Sequence, residues 1–120
     1  SCTVDVPAYW AQDALGNWVS HDLTPRDSAY SSRALGVGSV NGKLVIVGFA
    51  STSRAGEAVA WLPQSPGVYG VPTRLAAIGG SSTLAAQAVD VNANGVVVGW
   101  SAISGSGGRR AVLWMLPAIP

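Results

Sequence analysis

The chain has 120 residues, the size of one modest domain, and only 11% of them are charged, against about 25% in an average soluble protein. A net charge of +1, with Arg109 and Arg110 as the only adjacent basic pair, excludes the strong field by which a protein gathers nucleic acid or an anionic membrane. The single cysteine, Cys2, excludes an intrachain disulfide and a cysteine-rich metal site.

Taken in chain order, the first predicted strand is 6–12, around Pro7-Ala8-Tyr9-Trp10, and after the turn stretch DALGN a second covers 16–23. Strands 33–40 and 43–51 follow, joined by Asn41-Gly42; Asn-Gly between apolar β-formers is the strongest short hairpin signal, because a type I′ turn needs positive φ at both central residues. Strand 57–63 carries Ala58-Val59-Ala60-Trp61, and 68–75 follows the turn PQSPG, where Pro63, Pro66 and Pro72 weigh against helix. A second Asn-Gly hairpin joins 86–92 to 96–102, and 110–116 ends the series with Ala111-Val112-Leu113-Trp114. No segment sustains a 3.6-residue period with caps, so the fold class is all-β, with about nine short antiparallel strands.

These strands repeat. Trp10, Trp61 and Trp114 stand 51 and 53 residues apart. Trp18 and Tyr69 each lie eight places after their tryptophan, Leu23 and Leu75 follow at similar spacing, and Gly48-Phe49 matches Gly99-Trp100. The chain therefore divides into units of approximately 6–56 and 57–109, with a third begun at 110–116. Each unit reads as a four-stranded, propeller-blade-like element; a single closed barrel or sandwich of the same strands is the alternative. Runs such as Leu44-Val45-Ile46-Val47 and Val96-Val97-Val98 show no polar alternation, so both faces of these strands must be covered. Two units do not close a propeller, which leads to the expectation of a homo-oligomer in which 110–116 completes a sheet with 6–12 or with a neighbouring chain.

The pattern resembles the bacterial extracellular HAF repeat, which runs from an A-x-L-W strand through L-G-G-x-S to A-x-x-I-N-x-x-G-x-V-V-G-x-S. Ala111–Trp114, 75–82 and 88–101 carry the three parts, the last closely; 24–32 and 40–42 depart from them. The resemblance implies an exported, propeller-like, non-catalytic repeat and brings no ligand with it. An extracellular or cell-envelope location follows from it, and Cys2 is a candidate lipidated residue beside the plainer reading of an ordinary thiol. The longest apolar run, 44–50, is far below the ~20 residues of a membrane helix, so no transmembrane segment is expected.

Specific chemistry is sparse. Asp90-Val91-Asn92-Ala93-Asn94-Gly95 opens like a calcium loop, but the twelfth position is Ser101 and the ninth Val98, so too few hard oxygens are available. The stretch is read as a turn, with no metal and no cofactor. Ser20-His21-Asp22 looks like a compressed triad, yet on a strand His21 points away from its two neighbours. No catalytic residue is assigned and the protein is expected not to be an enzyme. Glycine clusters near 79–82 and 104–108, and Arg54 and Arg109, are read as loop tips. Trp10, Trp61 and Trp114 are expected as structural anchors, one per unit. Trp18, Tyr30, Tyr69 and Trp100 are the ligand-binding candidates, as ring platforms for carbohydrate. The expected function is a scaffolding or binding module with a carbohydrate or protein ligand; the alternative is an oligomeric lectin.

Overall fold

A computed structural model of the chain describes residues 5–25, 30–51, 56–65, 67–80, 84–103 and 108–117. Cys2, Arg54 and parts of both glycine clusters lie outside these residues. Apart from a single 3-10 turn at Ile78–Gly80, the regular structure is β: β1 Ala8–Gln12, β2 Trp18–Asp22, β3 Ser32–Val40, β4 Lys43–Ser51, β5 Gly56–Trp61, β6 Pro63–Ser65, β7 Val68–Tyr69, β8 Thr73–Leu75, β9 Ala86–Val91, β10 Val96–Ala102 and β11 Arg109–Met115. No helix among the described residues is long and apolar enough to cross a membrane.

All pairings are antiparallel. They form a two-stranded sheet β1-β2, a four-stranded sheet β3-β4-β5-β8, a three-stranded sheet β9-β10-β11 and a small ribbon β6-β7. The sheets are offset from the sequence units: the Trp strand β5 pairs with β4 of the preceding unit's hairpin, and β11 pairs with β10 in the same way. No barrel closes. Among the described residues β11 and β1 do not pair with each other, so the closure expected between 110–116 and 6–12 is not made within the chain.

Among the described residues eleven strands replace the nine predicted, because two of those are broken. The stretch 57–63 divides at Leu62, and Pro63 starts the ribbon strand β6. The stretch 68–75 divides at 70–72, where Pro72 offers no N–H to a ladder; Val68–Tyr69 pairs with β6, and Thr73–Leu75 pairs with β5.

The middle sheet is covered on both sides, as its unbroken apolar strands require. Val45 and Val47 of β4, with Ala58 and Ala60 of β5, point into a core shared with Ala86, Ala88, Val91 and Val97 of the third sheet. Ile46, Ala50, Val59 and Trp61 point the other way, into a core with Leu23 and the half-buried Tyr9. The sheets thus stack in three layers, with β9 lying across β3, β4 and β5. Gly38 permits this approach: a Cβ there would come within 2.6 Å of the Val91 carbonyl oxygen.

The two Asn-Gly turns differ. Asn41 and Gly42 both have positive φ (52° and 75°), the type I′ geometry. At the second hairpin only Gly95 does. There the Asn92 carbonyl accepts from the Gly95 N–H, and Asn92 Oδ1 accepts from the N–H groups of Asn94 and Val96. Asp13 organises DALGN identically: its carbonyl accepts from Gly16 N–H, and its Oδ1 from the N–H groups of Leu15 and Asn17. The apparent calcium loop is therefore a turn in which the amide oxygen of Asn92 is already engaged, while Asp90 Oδ1 accepts from the N–H of Val91.

Candidate functional site: the open sheet faces

The two contacts between successive sheets are built alike. Trp61 on β5 donates its indole N–H to the Thr24 carbonyl, at 2.8 Å, just beyond β2. Trp114 on β11 donates its own to the Ala76 carbonyl, at 2.7 Å, just beyond β8. Thr24 follows Leu23 and Ala76 follows Leu75, the leucines matched between the units. Each tryptophan thus reaches back to the same place on the sheet before it and packs on that sheet's forward face. Tyr69, in the unit position of Trp18, adds an edge-on contact with Tyr9 on the same boundary as Trp61, with ring centroids 5.6 Å apart.

The outermost layers leave equivalent faces open. On the third sheet Val98 stands directly across from Leu113, Val96 from Met115, and Trp100 from Ala111, so these side chains share a face. The matching cross-strand pair in the middle sheet is Val47 and Ala60, both 0% exposed, whereas Val98 is 41%, Leu113 68% and Met115 72% exposed. At the other end of the stack, Trp10 pairs with Ser20 and Gln12 with Trp18. That places both tryptophans on the rear face of β1-β2, where they are 66% and 64% exposed. Trp10 therefore departs from the expected anchor role. It holds the same strand position as Trp61 and Trp114, but among the described residues no sheet lies behind it.

The ring candidates do not converge on one surface. Trp18 lies on the rear face, Trp100 on the front face, Tyr69 in the first inter-sheet boundary, and Tyr30 at the surface just before β3. Trp100 is half-buried; the Arg109 guanidinium lies 4.0 Å above its ring, and its indole N–H donates to Gln87 Oε1. The Tyr69 hydroxyl donates to the Leu44 carbonyl at 2.7 Å. Burial first, and then the neighbouring Tyr9, raises the Tyr69 pKa above the ordinary tyrosine value, so it remains a proton donor throughout the neutral range.

His21 stacks on Tyr9 at 5.0 Å, on the forward side of β1-β2. Its strand neighbours Ser20 and Asp22 pair with Trp10 and Ala8 on the rear side. A cavity of about 450 Å³ runs past Tyr9, His21, Val68 and Tyr69. A second, of about 490 Å³, lies between the Gly42–Leu44 hairpin end and 63–67. The two share Gly67 and Tyr69. Among the described residues no three His, Cys, Asp or Glu side chains gather as metal ligands. Tested against protein-family models, characterised proteins and solved structures, the chain matches none.

Sequence reasoning called for cover on both faces of Val96-Val97-Val98, yet Val98 is 41% exposed, and it did not single out Leu113 and Met115 as part of the same open face. The signal was the surplus Trp strand, which joins the third sheet as an edge strand and carries Leu113 and Met115.

Proposed function

We propose that this protein is a non-enzymatic β-repeat module of the cell exterior or envelope that scaffolds or binds through its open sheet faces. The observation that carries the reading is the contrast between Val98, Leu113 and Met115, which are exposed, and Val47 and Ala60, their buried counterparts in the middle sheet. Covering a leucine- or methionine-sized side chain contributes about 1.5–3 kcal/mol, so this face has a strong tendency to acquire a neighbour. An exterior location rests on the resemblance of 88–101 to HAF-type repeats. The test is binding of an environment-sensitive apolar dye to the folded protein, diluted until sedimentation shows a monomer. The expected outcome is a fluorescence gain that is largely lost in the double variant L113D/M115D while its circular dichroism stays unchanged; a folded wild type that leaves the dye dark would refute the reading.

A lectin-like activity has one specific support, the pair of exposed rings Trp10 and Trp18 beside the polar Gln12, Ser20 and Asp22. Flat rings next to hydrogen-bonding groups suit the apolar faces of sugars. In that case neutral oligosaccharides quench tryptophan fluorescence saturably and W18A abolishes the effect; a flat titration across an oligosaccharide panel rejects it.

A further inference from the structure

We infer that a second copy of this chain seats its rear face, Trp10 and Trp18, on the front face formed by Val98, Leu113 and Met115, so that copies associate head to tail. The inference rests on the proposed role of the open faces and names their partner. Its basis is that the chain already makes this contact twice within itself. In both cases a tryptophan strand lies on the forward face of the sheet before it, with its indole N–H on the main chain of that sheet (Trp61 to Thr24, Trp114 to Ala76). Trp10 is the third tryptophan of the series, and it is 66% exposed.

The front face offers what the internal boundaries use. Tyr9, Ala60 and Leu113 each immediately precede their tryptophan. Tyr9 receives the edge of Tyr69, the residue in the unit position of Trp18, so a bulky side chain at the Tyr9 position is accommodated opposite a ring. Leu113 facing Trp18 of a second copy repeats that pairing. Because the two surfaces differ, the contact is heterologous and propagates into a ring or a filament rather than stopping at a two-fold dimer.

Two variants separate the faces, each carrying substitutions of exposed side chains only: L113D/M115D disables the front and W10S/W18S the rear. With folding verified by circular dichroism, sedimentation velocity at micromolar concentration is expected to show wild type as species larger than a dimer and each variant alone as a monomer. An equimolar mixture of the two variants is expected to give a 1:1 dimer, because one intact face of each kind remains. A mixture that stays monomeric, or a rear-face variant that dimerises alone through front-to-front contact, overturns the head-to-tail arrangement. A monomeric wild type also overturns it. If that monomer still binds the apolar dye through Leu113 and Met115, the open-face reading survives and the occupant is some other molecule; if it binds no dye, both fail.

Discussion

Trp61 and Trp10 are one residue type, 51 residues apart, yet they do different work. Trp61 is buried and donates to Thr24; Trp10 lies mostly in solvent. Replacing Trp61 by alanine opens a cavity and orphans the Thr24 carbonyl, for a cost of about 3–5 kcal/mol. The same change at Trp10 costs within about 0.5 kcal/mol, as for an ordinary surface site, when measured on dilute protein where association does not contribute. Denaturant midpoints of the two variants check the difference, and equal losses would place a hidden partner against Trp10. Here the limit of sequence reading is plain. The 51-residue and 53-residue spacings identify the three tryptophans as equivalent, but burial at this position is conferred by the preceding sheet, and no property of residues near Trp10 reports on that.

Among the strands, what could be read in advance depended on local chemistry. Asn41-Gly42 specifies its own type I′ turn, and the alternation of Val45, Ile46 and Val47 between two cores follows from the period of a strand alone. The break in 68–75 was missed, because Pro72 was weighed only against helix and not against a continuous ladder; the ladder partners lie at 58–60 and 63–65 and depend on how the sheets stack. The Asn94-Gly95 turn departs from type I′ because the Asn92 side chain captures two backbone amides, a competition that the dipeptide alone does not reveal. A second shared feature was seen as a sequence match but not as geometry. At Gly48 and Gly99 both inner hairpins shift register, opposite Leu35 and Val89 respectively. A Cβ at either glycine would overlap the carbonyl oxygen of the adjacent strand, on Arg33 or Gln87. Gly99→Ala should therefore cost about 3 kcal/mol, near the upper end of overpacking penalties, and Gly48→Ala should cost at least as much because its sheet is covered on both sides. Thermal melts of both variants test this, and near-native melting would mean the bulge relaxes freely.

For the molecule as a whole, stability is distributed by layer. The middle sheet has neighbours on both faces, and each outer sheet has one on a single face. In stacks of this kind stability is approximately a sum of unit and nearest-neighbour terms. Amide hydrogen exchange should consequently be slowest in β4 and β5, intermediate in β9 and β10, and fastest in β1 and β2, where only two strands pair. Uniform protection across the three sheets would show a single cooperative block instead. The sparse charge, 11% of residues, accords with a middle sheet buried between two cores.

The indole acceptors have one more implication. Thr24 and Ala76 have no side-chain chemistry in common, and each offers its tryptophan only a main-chain oxygen. Joining one layer to the next therefore imposes almost no demand on residue identity at the receiving end. Such a joint tolerates drift: the residue at the receiving end can change and the layers still fasten to one another, because what is recognised is the polypeptide itself.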